Sequence, residues 1–303
     1  MPILRIRKIA KRTGGLVAGV ALLAGLVASS ARAEDFERRV PVEPGGTLEV
    51  ELSTGSIEVE THDLPEVEID ARTSGWASGG MRFDLEHEAG EVRLTGSRSS
   101  WIPGLGPGRV AVRARVPKLF SVDLHTSGGH IDVEEVTGEV EASTSGGEIE
   151  LGQIVGEIEA ETSGGGIRAS EIRGDLAAQT SGGSIHLSEV KGDVEVETSG
   201  GTIRIREVDG SVDAKTSGGS ILVRFTGAPA GDIETSGGSI HVQLPEQEGV
   251  DLEAETSGGR IMIDKAFSVS GAVGRSHAEA QLNGGGAELT LQTSGGNIRV
   301  DVR

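Results

Sequence analysis

The sequence predicts an all-β fold: a parallel β-solenoid of 18-residue coils with two strands each, wound right-handed and covered at both ends by less regular segments. Three observations carry this. A tetrad returns at fixed spacing, hydrophobic residues alternate with period two between tetrads, and the apolar positions fall into columns when the repeats are stacked. Thr-Ser-Gly-Gly starts at Thr126, Thr144, Thr162, Thr180, Thr198 and Thr216, each 18 residues after the last, and returns at Thr235, Thr256 and Thr293. A unit this small cannot bury a core alone, so a period kept this faithfully means stacked coils that share one.

In chain order, residues 1–33 read as a secretory signal. Six basic residues and no acid precede Glu34, residues 16–28 are an uninterrupted apolar run, and Ala31-Arg32-Ala33 supplies a small-x-small cleavage site. The run is too short for a bilayer, which needs ~20 residues. The mature chain is therefore expected to be exported to the periplasm or cell envelope and to carry no transmembrane segment. Without that leader, 22 basic residues stand against 47 acidic ones, a formal net charge of −25. Nucleic acid is excluded as a partner, because its binding rests on phosphate neutralisation. With no cysteine in the chain there are no disulfides, thiolate metal sites or thiol nucleophile.

Residues 34–125 read as irregular β coils and a cap. They hold strand-like pieces such as "TLEVEL" and "RVAVRARV", and most of the aromatics: Phe36, Trp76, Phe83, Trp101 and Phe120. "WASGGMRF" and "SSWIPGLGPGRV" look like loops leaving a rod whose open end must be covered. Residues 126–264 are the regular repeats. In the coil from Gly183, Ile185 and Leu187 alternate with polar residues, Val190 follows, and Lys191-Gly192 turns the chain into Val194, Val196 and Thr198. Both halves have the strand period and neither has a helical one.

Each coil thus reads as two short strands separated by two glycine corners. Gly138, Gly156, Gly174, Gly192 and Gly210 form one corner column, where positive φ turns the chain cheaply. The tetrad threonine continues the inward alternation and is expected to cap the core edge, its hydroxyl bonded to corner backbone. Antiparallel hairpins would reverse alternate units and destroy the columns, so the strands must be parallel. Ten to thirteen coils at ~4.8 Å make a rod roughly 48–62 Å long. Residues 265–303 leave the period and close with one last coil, "LQTSGGNIRVDVR".

The opening "VPVEPGGTLEVELSTGSIEVE", the serial TSGG coils and the ending "LNGGGAELTLQTSGGNIRV" resemble the bacterial "putative adhesin" β-strand-repeat family, a domain of unknown function. The resemblance spans nearly all of residues 34–303 and implies an exported solenoid, but no catalytic residue.

Chemistry is hard to find in the repeats. The residue two after Gly-Gly is Ile, and no Asp recurs at a ligand slot, so the calcium β-roll motif fails. A serine repeated nine times is no singular nucleophile. No helix or P-loop Lys follows the glycines. We therefore expect no enzyme, no cofactor and no dedicated metal site. Histidines beside acids near His87 and His130 give only a weak hint of divalent-ion binding. What remains is a surface: an acidic face with Glu141, Glu159, Glu195 and Asp213, and a mixed to basic face with Arg168, Arg204 and Arg206. The expected role is an adhesion or envelope-interaction module with an unknown protein or glycan partner and weak self-association. The alternatives are a self-assembling scaffold or a carbohydrate-active β-helix enzyme. Intact mass of the exported protein should place its first residue at Glu34; retention of residues 1–33 would overturn the leader assignment.

Overall fold

The computed structural model describes residues 31–32, 35–74, 81–88, 90–98 and 109–303; most of the two segments expected to leave the rod as loops, with Trp76 and Trp101, lies outside them, as does nearly all of the expected leader. Every regular element described is a strand, and the strands form two long sheets with the core between. Sheet A has 15 strands and sheet B has 13. Thirteen strands at roughly 4.8 Å extend about 58 Å.

Between Thr126 and Ile221 each coil puts one strand in each sheet, and the register is a shift of 18. Ile185–Lys191 lies between Ile167–Arg173 and Ile203–Asp209 in sheet B, with Ile185 paired to Ile167 and Ile203. Val194–Thr198 lies between Leu176–Thr180 and Val212–Thr216 in sheet A. The predicted columns are buried: Ile131, Ile149, Ile167 and Ile185 on one wall, Val140, Ile158, Leu176 and Val194 on the other. The alanines at 142, 160, 178 and 214 are also buried, as small groups where the walls approach.

Each coil bends three times, not twice. The expected glycine corner is present, with φ between 142° and 157° from Gly138 to Gly210. The tetrad is the second bend. The third has no glycine: Glu135, Gln153, Glu171, Glu189 and Glu207 adopt φ of 55–62°, the left-handed region. That bend interrupts the alternation, so that Leu187 and Val190 both point inward although three residues apart. The sequence does not mark this bend, because a glutamate or glutamine, unlike a glycine, is no signal of positive φ.

The tetrad threonines do more than cap. Each is buried, and its hydroxyl donates to a corner carbonyl of the preceding coil: Thr180 to Gly165 O at 2.8 Å, Thr198 to Gly183 O at 2.9 Å, Thr216 to Gly201 O at 3.0 Å. The same oxygen accepts from the backbone N–H of the second glycine of its own tetrad, as for Gly201 N at 3.3 Å from Thr198 Oγ1. That glycine has no room for a side chain. A Cβ on Gly201 would lie 1.8 Å from Gly183 O, whereas one on Gly200 would find nothing nearer than 3.6 Å.

The ends depart from sequence order. The last coil, Ala287–Thr293 with Ile298–Val302, is inserted between the coil of Gly231–Thr235 and Ile240–Leu244 and the coil of Val250–Thr256 and Ile261–Ile263. The chain's final residues are therefore inside the stack, and Thr256 marks the outermost coil. The ladder continues through the insertion, because Thr293 donates to Gly238 O and Thr256 to Gly296 O, both at 2.8 Å. At the other end Thr47–Leu52 and Ser56–His62 sit between the coil of Ser121–Thr126 and that of Glu91–Arg98 and Arg109–Pro117. Antiparallel strands then cover both outer coils: Met81–Glu88 and Glu66–Ser74 at one end, His277–Leu282 at the other. Phe36 and Phe83, 5.7 Å apart between ring centres, seal the N-terminal end of the core.

Gly201→Ala should lower the melting temperature strongly and Gly200→Ala only slightly; equal melting of the two would remove the close-approach assignment. Thr198→Val keeps the shape but leaves a buried carbonyl and N–H without their partner, and should cost about 1–3 kcal/mol in denaturant unfolding.

Candidate functional site

Because strands alternate, every second residue of each coil faces outward, and parallel register writes these residues as columns. On sheet A the column runs Asp123, Glu141, Glu159, Ala177, Glu195, Asp213. The neighbouring column runs His125, Ser143, Glu161, Gln179, Glu197, Lys215, and Lys215 is tied to Glu234 at 2.8 Å. The acidic residues singled out in the sequence thus share one face, with Glu141, Glu159, Glu195 and Asp213 all exposed. Glu141 is pushed up in pKa by burial and then by Asp123 beside it. Like charges one strand apart repel, weakly where solvated.

On sheet B the column is Asp132, Glu150, Arg168, His186, Arg204, Leu222, with Ser170, Ser188, Arg206 and Arg224 in the next one. Charge changes sign along it. The three arginines expected to act together are not equivalent. Arg168 is committed to Glu148, and to Glu150 at 3.3 Å. Arg204 and Arg206 are exposed and have no acidic partner among the described residues. His186 lies between Arg168 and Arg204; burial, then Arg204, Arg168 and Arg206, lower its pKa and keep it neutral at pH 7. Gly152, Ser170 and Ser188 give this stretch a low floor, and a shallow groove of about 330 Å³ runs over it. On the acidic face, Ala177 leaves a smaller dent of about 70 Å³ among Glu159, Glu161, Glu195 and Glu197.

Among the described residues no phenylalanine ring reaches either face: Phe36, Phe83, Phe120, Phe225 and Phe267 are all buried. The tetrad serines are exposed along one edge of the rod. His87 is exposed, while His130 Nε2 approaches Glu150 Oε2 to 3.8 Å. Two trios of donors converge, Asp123–His125–Glu141 on sheet A and His130–Asp132–Glu150 on sheet B. In each, the third donor, Glu141 or Glu150, comes from the next coil, which local sequence does not show.

Residues 155–301 match the family model described as Toastrack DUF4097. The match covers the later repeats and both strands of the last coil. Solved structures with a similar arrangement include a "putative adhesin" of Bacteroides fragilis NCTC 9343, 13% identical over 88% of this chain and 96% of that one, with a TM-score of 0.42. Another is a "putative lipid binding protein" of Parabacteroides distasonis ATCC 8503, 16% identical over 88% and 96%, with a TM-score of 0.48. A "putative adhesin" of the same organism is 11% identical over the same shares, with a TM-score of 0.35. No functionally curated protein matches the chain. Identities this low say nothing about a shared ligand.

The inserted last coil also makes a contact that stacking in sequence order would not. His241 lies 2.8 Å from Asp301 Oδ2, and Arg299 Nε donates to the same oxygen at 2.5 Å. Burial opposes ionisation of Asp301, but Arg299 and His241 outweigh it and hold its carboxyl below the usual range. A carboxyl lowered by folding stabilises above its unfolded value of about 3.9 and ceases to do so as pH falls through its folded value. Asp301→Asn should therefore cost about 1 kcal/mol at pH 7, and melting curves of variant and wild type should converge in acid below pH ~4. A difference that persists undiminished into acid would contradict the ion pair.

Proposed function

We propose that the chain is an exported, non-catalytic rod that serves bacteria as an adhesion or cell-envelope interaction module, and that it recognises an anionic glycan on the outer face of sheet B. The observation that carries this is the pair Arg204 and Arg206. In a chain with 47 acidic residues, two neighbouring guanidinium groups have no acidic partner among the described residues and flank a groove. Guanidinium binds carboxylate, sulfate and phosphate through paired N–H donors. The neutral imidazole of His186 adds one more polar group without adding repulsion. With every phenylalanine buried, neutral sugars find no ring among the described residues to stack on. Charge is then the means of selection. The acidic remainder of the surface repels polyanions elsewhere and confines them to this stretch.

A second reading, a scaffold of associated rods, draws on the opposite charges of the two faces. Antiparallel strands over the outer coils interrupt the parallel ladder, so association would be lateral and weak rather than end to end.

Retention of a sulfated and a carboxylated polyanion, heparin and polygalacturonate, by the purified chain tests the first reading. Arg204→Gln/Arg206→Gln should abolish retention at low salt, while Glu141→Gln/Glu159→Gln/Glu195→Gln should leave it intact or strengthen it. Wild-type retention by the arginine double variant would sink the reading. Light scattering that shows salt-sensitive association, lost in either variant, would favour the scaffold.

A further inference from the structure

The outer face of sheet A holds a donor set that neither the fold nor the proposed ligand groove uses. Asp123 and His125 stand two apart on the strand Ser121–Thr126, and Glu141, on Val140–Thr144 of the next coil, is the register partner of Asp123. One donor atom from each lies within 4.8 Å of the others. His125 Nε2 is 2.7 Å from Asp123 Oδ1 and 4.0 Å from Glu141 Oε1. For a tetrahedral ion with bonds of about 2.0–2.2 Å, donors stand roughly 3.3–3.5 Å apart, between the two observed spacings. Small rotations of surface side chains close the difference.

The buried oxygen of Asp123 sharpens the argument. Asp123 Oδ1 is shielded from solvent and has no hydrogen bond unless the facing imidazole nitrogen carries a proton. A bare Nε2 at 2.7 Å would set lone pair against lone pair. At 2.7 Å an imidazole Nε2–H donating to that oxygen meets the need, and a metal ion would displace this proton and open the pair to its own donor spacing. The surroundings are rich in the negative charge that attracts a cation. Glu49 and Glu51 flank Asp123 and His125 on the preceding strand, and Glu159 flanks Glu141 on the following one. Of these acids, Glu49 alone has an arginine partner among the described residues, Arg93 at 2.7 Å. The corresponding trio on sheet B, His130, Asp132 and Glu150, is different, because Arg168 already brings a cation to Glu150.

We propose that Asp123, His125 and Glu141 form a binding site for a divalent transition metal of the Zn²⁺ class, clipping two neighbouring coils together across sheet A. One imidazole with two carboxylates is a donor set suited to Zn²⁺. Ca²⁺ takes six to eight oxygens, and Mg²⁺ an octahedral oxygen shell. Three protein donors leave the fourth tetrahedral position to solvent, at a point on the rod's surface where a partner's side chain could also reach it. The site is independent of Arg204 and Arg206, which lie on the other sheet, so either assignment can fail without the other.

The test is calorimetric titration of Zn²⁺ into the tag-free, chelator-treated full chain, paired with melting curves with and without Zn²⁺ or Ca²⁺. Wild type should bind Zn²⁺ saturably with one dominant site and melt higher with it, and Ca²⁺ should not reproduce the rise. His125→Gln should lose saturable binding, and Glu141→Gln should weaken it, while His130→Gln binds as wild type. All three variants should melt like wild type without metal, which separates loss of ligand from loss of fold. Absence of saturable Zn²⁺ binding, wild-type affinity in His125→Gln, loss that follows His130→Gln instead, or an equal response to Ca²⁺ would each overturn the assignment.

Discussion

The hydrogen bond from each tetrad threonine to the glycine carbonyl of the preceding coil is the contact on which the rest of the rod depends. One such bond contributes only about 1 kcal/mol net. Its consequence is geometric. To reach the carbonyl at 2.8–3.0 Å the corners must close on each other, and that removes the space a Cβ would need at the second glycine. The same hydroxyl then accepts the N–H of that glycine, so one side chain satisfies two groups at a buried corner. Threonine, buried yet polar, and glycine, small yet unable to be replaced, are two halves of one device. Its repetition fixes the register, and the register fixes which residues meet along each face.

That dependence explains how much of the structure was legible. Parallel stacking places each residue above the one 18 positions on, so Ile185 over Ile167 and Val194 over Leu176 could be read as columns. Three things were not written that way. The bend at Glu189 is made by a residue type that marks no corner, and only its φ of 55° reveals it. The final coil carries the same tetrad as the others and would fit at any position in the stack, so its insertion beside Ile240–Leu244 leaves no trace in the spacing. The pairing of His241 with Asp301 follows from that insertion. Within the basic face, the spacing gave Arg168 and Arg204 equal standing, and only the reach of Glu148 and Glu150 separates a neutralised arginine from an available one.

A solenoid imposes a further constraint on its surface. A residue type placed in an outward slot recurs about 4.8 Å away in the next coil, so charge accumulates in lines rather than in patches. Long lines of one sign are costly, and the chain interrupts them: Ala177 breaks the glutamates of sheet A, and Arg168 reverses the sign on sheet B. Specific chemistry belongs at these interruptions, because only there does a residue meet neighbours unlike itself. His125 beside Asp123 and the arginines beyond His186 are two such places, one on each sheet.

The ends of the stack decide how such a surface can be used. Parallel coils would continue indefinitely if their last strands stayed open, and identical rods would polymerise. Here both ends of sheet A and the N-terminal end of sheet B turn antiparallel. At the other end of sheet B the outermost strand has only three residues, and its Ile261 N–H is taken by Arg275 O at 2.8 Å. Inserting the last coil one place inward serves the same end. It puts the chain's final strand between two neighbours and leaves the covered coil of Thr256 outside. With the parallel ladder interrupted at its ends, the rod offers its long faces as its most extensive surfaces, and on those faces the informative positions are where the columns change.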